Sequence, residues 1–118
     1  MPAKTKLAQL IAYHVEGFGP PANKPTRDNN PGDLEHAPHI ESWDGAIGVE
    51  PTLDDGWADL ERQLGLFASR GLTLEQMAYE YWPPSENPTA DCLNTICAGL
   101  GLPPTATVAA ALKIPATI

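Results

Sequence analysis

The 118-residue chain is long enough for one domain and too short for two ordinary ones. At this length a single apolar core needs no disulfide or metal to hold it. With 42% hydrophobic residues the composition is globular, and a formal charge of −8 argues against nucleic-acid or anionic-membrane binding. The charge is unevenly spread. Residues 1–27 carry four bases (Lys4, Lys6, Lys24, Arg27) against Glu16, a net of +3. Residues 28–118 carry three bases against fourteen acids, a net of −11.

No window of the sequence approaches 18 consecutive apolar residues, so no membrane insertion is expected. The first apolar run is short and broken by Gln9, Tyr13, His14 and Glu16. That pattern predicts an amphipathic helix over about Thr5–Glu16 rather than a signal peptide, and a chain made in the cytoplasm. Leu7, Leu10, Ile11 and Val15 form its apolar stripe, widened by Ala8 and Ala12, and Gly17 ends it. From Phe18 to Asp33 proline, glycine and asparagine are too dense for a helix and predict a long ordered loop. Trp43-Asp44-Gly45 supplies a hairpin turn, with Ala46–Val49 as the strand after it, while His36–Ser42 is nearly unreadable.

The remainder reads as helix. Thr52 and Asp55 approximate a capping box before the apolar face of Trp57, Leu60, Leu64, Phe67 and Ala68, and Gly71 closes that helix. Thr73 and Gln76 make a second capping box, stapled by Leu72 and Met77, and Pro83-Pro84 stops the helix near Trp82. Asn87-Pro88 reads as an N-cap with proline at the first helical position. Leu93, Ile96, Cys97 and Leu100 then face inward, and Gly99–Gly101 close the helix. A last helix, capped by Thr105, is predicted over about 106–112. Cys92 and Cys97 lie about 140° apart on one helix, out of bonding reach, and read as buried reduced thiols. The expected fold is α+β, mainly α: one domain over 1–118, with four to five helices and a small β-hairpin after the first.

Glu16 is the strongest single position for chemistry. At 100° per residue it lies at the edge of the buried stripe and at a helix C-terminus, where the macrodipole disfavours a carboxylate's charge. Partial burial acts the same way, so its pKa is expected to be raised, as a general acid near neutral pH requires. An ordinary exposed glutamate at a helix end is the competing reading. Asp28-Asn-Asn-Pro-Gly-Asp33 reads either as a well-made turn or as a turn that presents amides to a polar ligand. Tyr79, Tyr81 and Trp82 could stack on a sugar face or pack in the core. Lys24 and Arg27 could meet substrate carboxylates or be solvated surface charges. His36 and His39 lack any recognised metal-ligand spacing, so no metal and no cofactor are expected.

Glu16-Gly17-Phe18 at a helix end, Arg27-Asp-Asn-Asn-Pro-Gly-Asp-Leu34, and Gly48-Val-Glu-Pro-Thr52 with Gly56-Trp57 together resemble a family of phage and bacterial lysozyme-like proteins. Trp82-x-Pro84, Asn87-Pro88 and Leu100-Gly101-Leu-x-Pro104 are similar to that family's C-terminal half, so the resemblance covers roughly residues 7–112. It implies a lysozyme-like fold that cleaves peptidoglycan glycan strands between N-acetylmuramic acid and N-acetylglucosamine, by hydrolysis or as a lytic transglycosylase. Glu16 matches the family's proton donor; Asn29, Asn30 and Gly32 match the turn lining its cleft, with Arg27 and Tyr81 as further substrate contacts. Asp33 and Glu50 stand where the family commonly has asparagine and phenylalanine. Asp28, Asp33 and Glu50 are therefore the candidates for a second carboxylate, Asp33 the favoured one.

The resemblance further implies an endolysin or virion-associated muramidase, monomeric, with peptidoglycan as its partner, acting on the wall after release or from the virion. A non-catalytic wall-binding or virion structural protein that keeps the fold is the alternative. The net charge predicts weaker activity on walls rich in anionic polymers, a difference that added salt should reduce.

Overall fold

A computed structural model describes residues 3–20 and 23–117. Pro21 and Ala22, within the predicted loop, and the N-terminal Met1-Pro2 lie outside the described residues. Among the described residues the chain is mainly helical with one small antiparallel hairpin, consistent with the expected α+β class. Helix α1 spans Lys6–Leu10, capped by Thr5, whose hydroxyl accepts from the Ala8 N–H. It does not continue as an α-helix to Glu16. From Ile11 to Val15 it widens into a π-helical turn, and the Glu16 N–H bonds the Ile11 carbonyl at 2.8 Å. Gly17 then takes a left-handed φ of 75°, and the Phe18 N–H reaches back to the Ala12 carbonyl. The 100° periodicity that placed Glu16 on the helix wheel thus stops at Leu10, and the wider turn resets where Glu16 points.

The loop that follows contains a helical turn, α2 (Lys24–Arg27), which the proline density concealed. Pro25 is allowed there because first-turn N–H groups have no intrahelical acceptor to lose. Strands β1 (Ser42–Asp44) and β2 (Ile47–Val49) pair antiparallel, with Ser42 opposite Val49 and Asp44 opposite Ile47. Gly45 and Ala46 form the turn, Gly45 at φ 66°, one residue later than Trp43-Asp44-Gly45 suggested; Trp43 is a strand residue.

Helix α3 (Leu53–Ser69), capped by Thr52, is the longest element, and α4 (Leu74–Tyr81) starts with the expected Thr73–Gln76 capping box. Helix α5 (Thr89–Leu100) begins one residue later than expected, with Pro88 rather than Asn87 at the N-cap. The Asn87 amide instead donates to the Pro83 carbonyl, and the Thr89 hydroxyl bonds the Trp82 carbonyl. Gly101, at φ 69°, ends α5, whereas Gly99 is inside it and lets Leu10 of α1 approach; a Cβ there would sit 2.4 Å from Leu10 Cδ2. Helix α6 (Val108–Ala111) is capped by Thr107, not Thr105. Thr107 is held extended, bridged to Thr73, because the Leu74 N–H bonds the Ala106 carbonyl and the Val108 N–H bonds the Leu72 carbonyl. Cys92 and Cys97 are free thiols, half-buried rather than buried.

Leu7 and Ile11 meet Leu60 and Leu64 of α3, Leu74 and Met77 of α4, Ile96 of α5 and Val108 of α6 in one core, all fully shielded. Burying each such side chain contributes about 1.5–3 kcal/mol. The segment from α2 to β2 adds Leu34 and Ile40 and otherwise lies over this helical body.

Gly56 shows how tightly that segment seats. A Cβ on it would fall 1.9 Å from the Asn29 carbonyl oxygen and 2.9 Å from Pro31 Cδ. Gly56→Ala should therefore destabilise the protein by more than about 2 kcal/mol, because backbone and not a flexible side chain must move. Gly65→Ala, in the same helix but facing open space, should stabilise it by about 0.5–1 kcal/mol in urea denaturation.

Candidate active site

The site is built on the Asp28–Leu34 turn. Asn29 and Asp33 both adopt left-handed backbone, φ 54° and 51°, which Asn and Asp tolerate better than other side chains. Asn30 is fully buried between them. Its amide nitrogen donates to the Leu34 and Gly48 carbonyls at 2.8 and 2.9 Å, and its oxygen accepts from the Leu34 N–H at 3.0 Å. This side chain closes the turn on itself and fastens it to β2. The Glu50 N–H adds a bond to the Asp28 carbonyl, and the Gly48 N–H one to Leu34.

Gly32 faces α3 and α4. A Cβ there would lie 2.8 Å from Leu60 Cδ1 and 2.9 Å from the Tyr81 hydroxyl, which donates to the Gly32 carbonyl at 2.5 Å. Burial, with Glu16 and Asp33 nearby, pushes the Tyr81 pKa well above its ordinary value, so this phenol stays a neutral donor. Its ring packs on Trp82, centroids 4.7 Å apart, which fixes the last residues of α4 against the turn.

Trp82, 3% exposed, donates its indole N–H to Glu16 Oε2 at 2.7 Å. The wider π-helical turn and Gly17 deliver the Glu16 carboxyl to this partner. Burial raises the Glu16 pKa to about 7; the Trp82 hydrogen bond works against that shift, and the Asp33 charge adds to it. A cleft of about 400 Å³ opens beside the pair, lined by Glu16, Asp33, Glu35 and the hairpin residues Ala46 and Ile47 on one side, and by α4 and the segment after it on the other. Asp33 is half-buried, its pKa raised mainly by burial, and its Oδ1 is shielded without a hydrogen-bond partner.

Of the residues singled out from sequence, Glu16, Asp33 and Tyr81 come together on this cleft. Asn30 does not face it: both amide protons and the oxygen are engaged inside the protein, so its part is to brace the turn. Asn29 turns toward the Glu50 carbonyl at 3.5 Å, and Gly32 is wedged beneath Tyr81. Arg27 lies on the hairpin, its Nε and Nη2 on Asp44 Oδ2 at 3.0 and 2.8 Å, with Lys24 Nζ on the Asp44 carbonyl at 2.7 Å. Lys24 and Arg27 therefore clamp β1, while the cleft carries Glu35, Glu80 and Glu86 beside Glu16 and Asp33. Asp28 is buried beside Arg27 and Asp44, and Glu50 is buried at the far end of β2. Among the three candidate second acids, Asp33 is the one on the cleft.

Comparison with family models, curated proteins and solved structures finds no match to the chain.

The raised Glu16 pKa has a sign for stability. The folded protein keeps the proton to about pH 7 while the unfolded chain releases it near 4.5, so stability falls as pH rises between the two. Glu16→Gln, which keeps an oxygen for the Trp82 N–H, should raise stability by about 1–3 kcal/mol at pH 8 and leave it nearly unchanged at pH 4. Calorimetric melting points should show this as a gain of several degrees confined to high pH.

Proposed function

We propose that the chain is a lysozyme-like enzyme that cleaves the glycan strand of peptidoglycan between N-acetylmuramic acid and N-acetylglucosamine, with Glu16 as general acid. The observation that carries this reading is a carboxyl group holding its proton to about pH 7, hydrogen-bonded to Trp82 and lining an open cleft with Asp33. The sequence resemblance to phage and bacterial muramidases points the same way. An endolysin or virion-associated protein, reaching the wall after membrane permeabilisation or from the particle, fits this activity.

Protonated Glu16 donates to the glycosidic oxygen as the anomeric carbon–oxygen bond breaks, and the N-acetylglucosamine side departs as an alcohol. The Trp82 indole N–H, already on Oε2, stabilises the carboxylate this leaves. Positive charge develops on the sugar ring, and the acidic lining of the cleft stabilises it. In the hydrolytic route Asp33 accepts a proton from the incoming water as its oxygen attacks the anomeric carbon, giving a reducing muramic end. In the transglycosylase route the substrate's own hydroxyl attacks that carbon, its proton passes to Glu16, and an anhydro end results. Hydrolysis is the reading favoured by Asp33, because it is a second carboxyl lining the same cleft as Glu16.

Purified protein incubated with peptidoglycan should release fragments that mass spectrometry identifies as reducing muramic ends. Glu16→Gln should reduce the rate by about 10²–10⁴-fold. Equal release by both proteins contradicts the role of Glu16; binding without release by either favours a wall-binding protein. Asp33→Asn should abolish reducing ends, whereas unaltered release with anhydro ends assigns transglycosylation by one acid. Activity should fall above about pH 7 as Glu16 loses its proton, and fall again at low pH as Asp33 gains one.

A further inference from the structure

Away from the cleft, three side chains from three separate elements converge: His39 from the loop before β1, Glu50 from the residue after β2, and Asp59 from α3. One ligand atom of each lies within 4.8 Å of the other two. Asp59 is 1% exposed and holds His39 twice, its Oδ2 accepting from the His39 backbone N–H at 3.2 Å and its Oδ1 meeting Nδ1 at 2.6 Å. Glu50 is also 1% exposed, and among the described residues neither of its carboxylate oxygens receives a hydrogen bond, Asp59 being its polar neighbour. A buried carboxyl left without a donor, beside a second carboxylate, is an expensive arrangement for a protein to keep. The His39 side chain is 48% exposed, so the cluster opens to solvent on that side.

We propose that His39, Glu50 and Asp59 form a binding site for a divalent transition metal, of which Zn²⁺ fits the donors best. One imidazole nitrogen and two carboxylate oxygens suit a borderline ion that accepts nitrogen and oxygen together. Ca²⁺ takes six to eight oxygens and Mg²⁺ an octahedral oxygen shell, and an imidazole with two carboxylates provides neither. Bonds of about 2.0–2.2 Å to one ion set tetrahedral ligand atoms about 3.3–3.5 Å apart. His39 Nδ1 would therefore move off Asp59 Oδ1, now 2.6 Å away, while wider spacings in the cluster close, and the exposed His39 side chain can turn to do both. Asp55 Oδ1 lies 3.7 Å from His39 Nε2, a carboxylate neighbour beyond hydrogen-bond distance that would have to close by about 0.7 Å to orient the ring. The three ligands leave a fourth position toward solvent.

Such an ion would act as a staple. Glu50 bonds the Asp28 carbonyl through its N–H and receives the Asn29 amide on its carbonyl. Fastening Glu50 to α3 and to the His39 loop would therefore fix the turn that presents Asp33. The site stands independently of the enzymatic reading, and its spacing in sequence (His39, Glu50, Asp59) matches no metal motif because the ligands meet only in the folded chain.

Titration calorimetry and thermal melting with ZnCl₂ at neutral pH, in a non-chelating buffer, test the proposal. Saturable binding of one ion per chain is expected, with a melting point several degrees higher that EDTA reverses and that CaCl₂ and MgCl₂ do not reproduce. His39→Ala and Glu50→Gln, each first shown by circular dichroism to be folded, should each weaken Zn²⁺ binding by at least about 10-fold. His36→Ala, at an exposed position on the same loop, should leave it unchanged. Absence of saturable binding, or binding that His39→Ala leaves intact, overturns the proposal.

Discussion

The buried amide of Asn30 is the constraint on which the site depends. Three hydrogen bonds from one side chain hold the turn closed and tie it to β2. That closure sets Gly32 where its carbonyl accepts the Tyr81 hydroxyl, and Tyr81 packs on Trp82, whose indole holds Glu16. A path of direct contacts thus runs from Asn30, at the centre of the turn, to the carboxyl proposed to do the chemistry. It also explains the two glycines: Gly32 and Gly56 are the points where the turn meets α4 and α3 with no room for a Cβ. Replacing Asn30 with an apolar residue would remove the side-chain partners of the Gly48 carbonyl and the Leu34 N–H, each loss comparable to about 1–3 kcal/mol, while the Leu34 carbonyl keeps the Gly48 N–H.

Acids with shielded oxygens gather around this turn. Among the described residues, Asp28 Oδ2, Asp33 Oδ1 and both Glu50 oxygens have no hydrogen-bond donor, and burial raises the pKa of all three residues. A sequence with a net charge of −11 over residues 28–118 gains nothing in stability from placing so many carboxyls out of water. Asp33 at the cleft and Glu50 at the His39 cluster follow what functional sites commonly show, where titration behaviour is set at the expense of stability, whereas Asp28 sits beside Arg27. The two groups differ in form. At the cleft, Glu16 and Asp33 face an open volume large enough for a sugar; at the cluster, Glu50 and Asp59 face each other and a histidine.

The helices were legible because their signals are local. Thr73 with Gln76, Thr52 before an acidic first turn, and the Leu60–Leu64–Phe67 stripe each declare themselves within one or two turns. Glu16 was legible as a helix-end acid, though its true orientation comes from a π-helical turn that no residue pattern announced. What could not be read were features made by distant segments. Thr107 caps α6 because residues 106–108 are held by backbone bonds to residues 72–74, and nothing in the Thr105–Thr107 stretch decides between the two threonines. Asn30 looked like a ligand contact because a turn amide reads the same whether it faces a cleft or a β-strand. Lys24 and Arg27 read either as substrate contacts or as solvated surface charges, because Asp44, which engages both, lies far along the chain. The Trp82–Glu16 bond spans 66 residues, so only its ends could be noticed separately.

The central claim is that Glu16 carries a proton at neutral pH inside the cleft. It is tested most directly by the ¹³C NMR titration of its side-chain carboxyl in glutamate-labelled protein, with the resonance assigned by its loss in Glu16→Gln. The account predicts a midpoint near 7, moving upward when Trp82→Phe removes the indole N–H that favours the ionised form. A midpoint near 4.5, unmoved by that substitution, would mean a carboxyl that water reaches freely, and would contradict it.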